Sequence, residues 1–447
     1  MDGGNVKKLL EVKEFDKIIC NADYKYDDRY KYIEPEIFDK LKSFICEFAV
    51  GDNNTDVLDF MRISFKRNFG YFITIRNYVG LIQIDDNYQL QVLPKISFDN
   101  EEDIENRNTK RIFLKMLCSM KDFSGKVFNN AYINSGKMNL YEIFINMYLQ
   151  EVRELIKHGI QSTYIRQEEN LPYCKGKLIV NKQIRYNILH KEHFYVEHDE
   201  FLQDRPENRL IKATLLKLQR QMSSAKNNKE IRQVLTAFEM VKPSINYQKD
   251  FSQSIINRNT QNYKTLISWS EIFLMNKSFT TFSGDKNAKA MLFPMEKVYE
   301  SYVACQVKKV FGLAGWNVTS QDRGYYLFNY KNDKLCRQFG LRPDIVLRKD
   351  SYIVVMDTKW KRLENNPKTN YGIKQADMYQ MYAYSKKYKT SDVWLLYPVN
   401  EKMCGKEHIF FNSGDGTNVK LHFVDLNNIE DNMKELLEKV ERSAKLL

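Results

Sequence analysis

Alternating apolar and polar positions mark the first hundred residues of the chain as strand-rich. The clearest pattern covers residues 78–96, where the β-type runs YVGLIQI and YQLQVLPKI flank an Asp-Asp-Asn turn. Two such runs on either side of a short polar turn predict a β-hairpin. Pro94 ends the second strand because proline has no N–H to donate to a neighbouring strand. The charged stretch 101–111 then predicts an exposed connector.

In the middle of the chain the apolar positions recur at helical spacing. Asp204 and Glu207 predict a capping box at the start of one helix, and a short strand is expected at 176–180. The polar stretch 246–262 predicts a loop. The predicted helices are 112–120, 140–156, a segment through Leu210, Leu215 and Leu218, 229–241, and 263–275.

From residue 291 onward the predicted helices and strands alternate, which is typical of a mixed α/β domain. The preceding Gly-, Ser- and Lys-rich segment 278–290 predicts a domain boundary. We therefore expect a multidomain α/β and α+β protein: a strand-rich module at 1–110, a mainly helical region at 111–290, and a mixed sheet flanked by helices at 291–447. The last part is predicted to contain helices at 294–310 and 374–388 and strands at 317–320, 325–329, 344–347, 352–357 and 393–397.

Composition narrows the class of protein. With 447 residues and a hydrophobic fraction of 43%, the chain can bury two or three domain cores. Its net charge of +12 makes a polyanion a candidate partner, although many basic proteins bind no nucleic acid. The seven cysteines are scattered without a CxxC pair, and no apolar run approaches the roughly 18 residues that would span a bilayer. These features lead us to expect a cytoplasmic protein with reduced thiols.

The strongest chemical signal is RPDIVL, a polar turn, and then YIVVMDTKWK. Asp357 and Lys359 are two residues apart on a predicted strand and should project from one face, while Thr358 points away. Asp344 begins the preceding strand, so an antiparallel pairing would bring all three groups to one end. Two aspartates suit Mg²⁺, which takes one or two carboxylates together with water and substrate phosphate. An edge-strand charge pattern is the alternative interpretation.

This arrangement resembles the PD-(D/E)xK nuclease core, with Pro343 before Asp344 supplying the literal PD. The resemblance implies that Asp344 and Asp357 hold the metal and that Lys359 assists the attacking water. It also assigns a supporting acid to the preceding helix, FPMEKVYESYVA, either Glu300 or Glu296. Gln380 and Tyr384, at i and i+4, match the Q-x-x-x-Y pattern of RecB-like nucleases, which would contact substrate or brace the catalytic strand. Taken singly, each could be an ordinary polar position on a helix.

Longer phrases resemble McrC-like nuclease subunits of McrBC-type restriction systems: YVGLIQI and LPKI, GKLIVNKQIRYN, ENRLIKATL, FPMEKVYESYV, and QMYAY with LLYP. The resemblance implies an endonuclease that cuts double-stranded, modified DNA and docks through its amino-terminal region on McrB, an AAA+ ring that hydrolyses GTP. The chain itself has no GxxxxGK[ST] loop, so GTP is expected on the partner. A self-sufficient recombination or repair nuclease and a catalytically silent activator of an NTPase ring are the alternatives.

The segment 190–198 holds three of the six histidines and could bind a transition metal. Its spacing lacks the i, i+4 pair of an HExxH motif, so we interpret it as a solvated polar stretch. No Ser-His-Asp or Cys-His pattern suggests covalent catalysis.

Overall fold

A computed structural model of the chain describes residues 8–50, 61–67, 69–85, 88–96, 106–120, 140–221, 225–275, 289–331, 335–400, 403 and 409–445. The chain forms two compact units. The smaller comprises Met138–Thr281 with the short pieces Met1–Val6 and Lys289–Met291, and the larger comprises Lys7–Lys137, Phe282–Ala288 and Leu292–Leu447. The amino-terminal and carboxy-terminal domains predicted from the sequence thus lie within one unit, and the boundary expected at 110–111 stays a prediction.

The amino-terminal part of the larger unit contains two sheets. Its elements are β1 (Lys8–Lys13), β2 (Lys17–Ile19), β3 (Tyr30–Tyr32), α1 (Pro35–Val50), β4 (Met61–Lys66), β5 (Gly70–Ile75), β6 (Tyr78–Asp85), β7 (Tyr88–Leu93) and α2 (Arg107–Leu117). One sheet has the order β3-β2-β5-β4, and β1 pairs in parallel with β7 in the other.

The predicted hairpin is present, because β6 and β7 pair in antiparallel register. All six residues of β7 are buried, including the polar Gln89 and Gln91. The amide of Gln91 is accommodated there because it donates to Glu11 Oε1 at 2.7 Å. The hairpin is therefore a core element of this part of the chain.

The smaller unit combines helices with a three-stranded sheet of order β8-β10-β9. Its elements are α3 (Leu140–His158), β8 (Thr163–Leu171), β9 (Lys177–Leu178), α4 (Val180–Asn187), β10 (Phe194–Leu202), α5 (Pro206–Gln221), α6 (Ala225–Thr236), α7 (Tyr247–Gln253) and α8 (Tyr263–Met275). Buried polar contacts join the helices: the Tyr148 hydroxyl lies 2.8 Å from that of Ser270, and Asn227 donates to the Glu142 carboxylate at 2.6 Å.

Several local predictions for this unit need correction. Asp204 and Glu207 do not form the expected capping box: they accept from the backbone N–H groups of Lys242 and Ile255, respectively. Helix α6 ends at Thr236 rather than at 241, and α7 lies inside the stretch 246–262 that was predicted as a loop.

The carboxy-terminal part of the larger unit is a mixed α/β arrangement, as predicted. Its elements are β11 (Lys289–Pro294), α9 (Met295–Leu313), β12 (Asn317–Ser320), β13 (Tyr326–Lys331), β14 (Leu335–Gly340), β15 (Ile345–Lys349), β16 (Tyr352–Thr358), α10 (Gln375–Tyr388), β17 (Asp392–Pro398), β18 (Phe410–Asn412), β19 (Asn418–Val424) and α11 (Ile429–Lys445). Strand β11 joins the β1-β7-β6 sheet beside β6.

A six-stranded sheet of order β12-β15-β16-β17-β19-β18 forms the centre of this part. Strands β16, β17 and β19 run parallel to one another, whereas β12, β15 and β16 are joined in antiparallel pairs. Every residue of β17 is buried, which is typical of a parallel strand covered on both faces. Strands β13 and β14 form a separate two-stranded hairpin. Among the described residues, no helix has the length and apolar character needed to cross a membrane.

Candidate active site

The register of β15 and β16 determines where the two predicted aspartates lie. Ile345 pairs with Met356, so the next positions outward, Asp344 and Asp357, face each other at one end of the strand pair. At the other end, the chain reverses within two residues, and Asp350 adopts a left-handed conformation with φ of 52°. This tight reversal sets the register, and thereby brings two carboxylates that are distant in sequence to one place.

Lys359 lies beside these carboxylates. Its ammonium nitrogen is 2.6 Å from Asp357 Oδ2 and 3.7 Å from Asp377 Oδ1, and it donates to Gln380 Oε1 at 3.1 Å. Its backbone N–H donates to Leu396 O on β17, which continues the sheet beyond the end of β16. The structure therefore brings together Asp344, Asp357 and Lys359.

Thr358 does not point away from this group, contrary to the prediction from strand alternation. Both its backbone N–H and its hydroxyl donate to Asp344 Oδ2, at 2.7 and 2.6 Å. Strand β16 ends at this residue, so the alternation of a regular strand no longer determines where the side chain points.

Burial raises the pKa values of these two carboxyl groups. It raises the pKa of Asp357 to about 7, and the neighbouring Asp344 charge adds to the shift. Burial likewise raises the pKa of Asp344, although the two Thr358 hydrogen bonds oppose it. For Lys359, burial disfavours the ammonium, but the charges of Asp357, Asp377 and Asp344 outweigh this effect and raise its pKa above the usual value. Lys359 is therefore a cation at neutral pH.

Helix α9 adds two further carboxylates. Glu296 and Glu300 are one helical turn apart on one face, and both line the cavity that contains the aspartates. Glu300 accepts from the Gln321 side chain, which itself accepts from Arg342. Burial, followed by the Asp344 charge, raises the pKa of Glu300. Since both acids line the cavity, the choice between them as the supporting acid stays open.

Gln380 and Tyr384 form a chain of hydrogen bonds behind Lys359. The Gln380 amide accepts from Lys359 and donates to the Tyr384 hydroxyl at 2.8 Å. Tyr384 is almost completely buried, whereas Gln380 lines the cavity. Tyr384 thus contacts Gln380 from within the core, and Gln380 lies between Tyr384 and the cavity.

An open cavity of about 330 Å³ unites the predicted residues with several that sequence reasoning missed. Asp377 and Lys374 belong to the start of α10, and Lys361 follows β16, so the cavity carries cationic as well as acidic groups. Burial and the charge of Lys374 lower the pKa of Lys361. The lining residues are Glu296, Glu300, Asp344, Asp357, Thr358, Lys359, Trp360, Lys361, Lys374, Asp377 and Gln380.

Trp360 connects the site to the first strand of the protein. Its indole N–H lies 3.1 Å from both carboxyl oxygens of Glu14, the residue that follows β1. Glu14 is fully buried, and burial raises its pKa to about 7 despite the hydrogen bonds from Trp360 and the Lys95 N–H. Nearby, Arg362 donates to Lys95 O at 2.8 Å.

The donor set fits Mg²⁺ better than a metal whose ligands must all come from the protein. Within the described parts of the chain, no cluster of three or more His, Cys, Asp or Glu side chains has the geometry to hold a metal by itself. Asp344 and Asp357 do supply the one or two carboxylates that Mg²⁺ takes when water and phosphate complete its shell. Asp357 is buried and Asp344 half-buried beside it, and a divalent cation would offset the repulsion between the two carboxylates.

Each histidine of segment 190–198 lies next to a nearby carboxylate. The exposed His190 and the half-buried His193 both lie next to the Glu192 carboxylate, while the buried His198 lies 3.3 Å from Glu200. Each contact is a local ion pair or hydrogen bond within the smaller unit.

Comparisons with known proteins extend this description. A search of curated proteins gives no match. A refined half-complex from a tetradecameric assembly of Thermococcus gammatolerans McrB AAA+ hexamers with bound McrC contains a chain that is 19% identical, with a TM-score of 0.70 over 97% of this chain and 100% of that chain. In a cryo-EM structure of the Thermococcus gammatolerans McrBC complex, a chain is 22% identical, with a TM-score of 0.47 over 66% and 86% of the two chains.

The first of these similarities supports the overall mixed α/β fold. The model of the family described as McrBC 5-methylcytosine restriction system component matches residues 73–398, well over half of the sequence. The chain therefore belongs to the McrBC restriction system component family.

Proposed function

We propose that this protein is the DNA-cutting subunit of a McrBC-like restriction complex, a Mg²⁺-dependent endonuclease with a PD-(D/E)xK core. The observation that carries the proposal is the meeting of Asp344, Asp357 and Lys359 at one cavity, in a chain of this family. The substrate would be the phosphodiester backbone of double-stranded, modified DNA.

Each side chain of the cavity has a distinct task in this proposal. Asp344 and Asp357 would hold Mg²⁺, which when bound neutralises charge on the scissile phosphate and makes a nearby water a better nucleophile. Thr358 fixes the orientation of Asp344 through its two hydrogen bonds. Lys359 is charged at neutral pH, so it acts by orienting the water and stabilising negative charge on the phosphate rather than by accepting a proton.

The remaining polar groups support this arrangement. Gln380, held by the buried Tyr384, limits the positions that the Lys359 ammonium can take. Lys361 and Lys374 line the same cavity and supply positive charge for the flanking phosphates. Glu300 would add a further acidic group from α9.

We further propose that the chain assembles with an AAA+ GTPase ring, as McrC is bound to McrB AAA+ hexamers in the Thermococcus gammatolerans structure. In this proposal the partner binds GTP, and the absence of a GxxxxGK[ST] loop from the sequence is consistent with that division of roles. Besides the amino-terminal region that the resemblance implies, helix α4 of the smaller unit offers a docking surface, because Val180, Ile184 and the residue that follows the helix, Ile188, are exposed. Contiguous apolar surface of this kind is typical of a protein interface.

Separate assays of cutting and of GTP hydrolysis test the proposal. In the complex reconstituted with the partner ring, Lys359→Ala and Asp357→Asn should reduce DNA cleavage by at least about a hundredfold, the usual loss for a group that stabilises phosphoryl transfer. Both variants should still stimulate the partner GTPase, because helix α4 is unchanged. Asp431→Ala, at an exposed position on α11, is the matched control and should retain both activities.

Three other outcomes would contradict the proposal. Cleavage by the isolated chain with Mg²⁺ alone would indicate a self-sufficient nuclease. Full cleavage by the complex that contains Asp357→Asn would indicate that this chain only activates the ring. Loss of both activities in a folded Lys359→Ala variant would show that cutting and stimulation are not separate.

A further inference from the structure

Strands β13 and β14 form a hairpin that stands apart from the six-stranded sheet and carries exposed aromatic side chains. Phe328 and Phe339 are 65% and 66% exposed, and their ring centroids are 6.0 Å apart at nearly perpendicular orientation. A single exposed apolar side chain is ordinary, whereas two aromatic rings exposed side by side form an apolar patch of the kind that marks binding sites. The exposed pair therefore requires an explanation.

The backbone directs Phe339 to this position. Phe328 pairs with Gln338 in the hairpin register, so in a regular strand Phe339 would project from the opposite face. Instead Phe339 adopts a left-handed conformation with φ of 56°, which is strained for a bulky residue. This irregularity places its ring beside that of Phe328, on the solvent side. Strain of this kind concentrates at functional positions.

The other side of the hairpin is firmly attached to the nuclease core. The Tyr325 ring packs on the Tyr388 ring of α10, with centroids 4.3 Å apart, and Leu327 packs against the buried cluster that contains Leu341. The Leu341 N–H donates to Tyr325 O at 2.8 Å and closes the base of the hairpin. The exposed rings therefore project from an element that is anchored in the core.

This base lies next to the cavity. Only Arg342 and Pro343 separate Leu341 from Asp344. Arg342 donates to the Gln321 side chain, which donates in turn to Glu300 at the cavity wall. A molecule bound along the base of the hairpin would therefore lie beside the cavity wall.

The exposed polar groups around the rings indicate which molecule this is. Arg323, Arg337 and Arg342 are exposed, and the described residues between 323 and 342 include no carboxylate. Asn329 and Gln338 add exposed amides, which donate and accept hydrogen bonds. A surface that combines arginines, amides and projecting phenylalanines matches duplex DNA, whose phosphates attract the arginines and whose base steps can be opened by apolar side chains.

We propose that the β13–β14 hairpin binds duplex DNA beside the cavity, with Phe328 and Phe339 acting as a wedge against the base pairs and Arg323 and Arg337 holding the backbone. The proposal rests on the nuclease function above. It assigns the positioning of the duplex to an element that takes no part in bond breaking.

Binding of a labelled duplex of about 30 base pairs, measured by fluorescence anisotropy without divalent metal on the full chain with its partner ring, tests the wedge. Phe328→Ala with Phe339→Ala should weaken binding about tenfold, the free energy of about one lost stacking contact. A 2-aminopurine placed in the duplex should lose the fluorescence increase that unstacking by the intact protein gives. Phe410→Ala, an equally exposed phenylalanine on β18, is the control and should bind normally.

Two further variants separate the contacts. Phe339→Gly removes the ring and the backbone strain together, so DNA binding should weaken while the thermal midpoint stays equal or rises. Arg323→Ala and Arg337→Ala should each reduce the slope of log K against log salt by about 1, as loss of one phosphate contact does.

Unchanged affinity, salt slope and 2-aminopurine signal in these variants would overturn the hairpin proposal even if Asp357→Asn abolishes cutting. Loss of partner binding with normal DNA binding would also overturn it and mark the hairpin as a protein contact. If instead the unaltered complex neither binds nor cuts DNA, the proposed nuclease function itself fails.

Discussion

Thr358 controls the geometry of the site at the level of single side chains. Its two hydrogen bonds both end on Oδ2 of Asp344, so this oxygen is held and Oδ1 is the atom that we expect to face a cation. Two donors on one buried carboxylate oxygen also offset part of the cost of taking that charge out of water. An uncharged residue thereby sets the position of a charged one.

Replacing this hydroxyl gives a testable outcome. Thr358→Val keeps the shape and the backbone donor but removes the hydroxyl, and we expect single-turnover cleavage to slow by about tenfold or more, the effect of losing one hydrogen bond to a charged group. Thr358→Ser retains a hydroxyl and should remain close to the unaltered rate. Equal rates for the valine and serine variants would show that the hydroxyl does not matter.

Sequence patterns identified the acids at this scale because their signal is local. Asp344, Asp357 and Lys359 flank two apolar strands joined by a short turn, and period-2 spacing with a tight reversal is enough to bring such positions together. Thr358 was assigned to the wrong side since alternation stops where β16 ends. Asp377 and Lys374 reach the cavity through the packing of α10 on the sheet, which no local pattern encodes.

At the level of elements, α4 has an unusual orientation. Two of its amides face the sheet: Gln183 and Asn187 donate to His193 O at 2.7 and 3.1 Å, and Gln183 accepts from the Tyr195 N–H. The apolar residues Ile184 and Ile188 consequently face outward. A helix that hides amides and exposes isoleucines inverts the usual amphipathic arrangement, which supports its assignment as a docking surface.

Negative charge introduced on this apolar surface should weaken the binding of the partner ring. Ile184→Asp with Ile188→Asp is expected to weaken binding to the AAA+ ring by at least about tenfold, since central apolar contacts dominate interface energies. Stimulation of GTP hydrolysis should fall in parallel. Ile245→Asp, on an almost completely exposed isoleucine of the same unit, is the matched control. Normal ring binding by the double variant would place docking elsewhere.

The sequence pattern does not predict most of the β8–β10 sheet, and the reason is physical. The β8 sequence TYIRQEENL and the β10 sequence FYVEHDEFL carry charges without a continuous apolar face, so period-2 patterning is weak. Long helices such as α3 and α8 bury one side, and their spacing was correctly recognised. Strong one-sided burial is what makes an element predictable.

At the scale of the whole molecule, the contact between Glu14 and Trp360 joins residues 346 positions apart. It lies at the end of β1 on one side and directly after Lys359 on the other. Burial raises the pKa of Glu14 to about 7, from an ordinary value near 4.5. In the unfolded chain this carboxyl loses its proton at lower pH than in the folded protein, so its contribution to stability decreases as pH rises between these two values.

Glu14→Gln removes this titration. Between about pH 5 and pH 8 the group should lower the unfolding free energy of the unaltered protein by on the order of 3 kcal/mol, and the variant should lack this decrease. Urea unfolding followed by tryptophan fluorescence reports it, because Trp316, Trp360 and Trp394 belong to the larger unit. Glu438→Gln, at an exposed helical position, should follow the unaltered protein. An identical pH profile for Glu14→Gln would refute the assignment.

The Glu14–Trp360 contact also bears on how such proteins can be recombined. A chimaera that took its carboxy-terminal α/β part from one relative and its first strand from another would have to match carboxyl to indole across the joint, or bury one of the two unsatisfied. The carboxy-terminal part is therefore not an independent cassette, because its packing depends on the residue that follows the first strand.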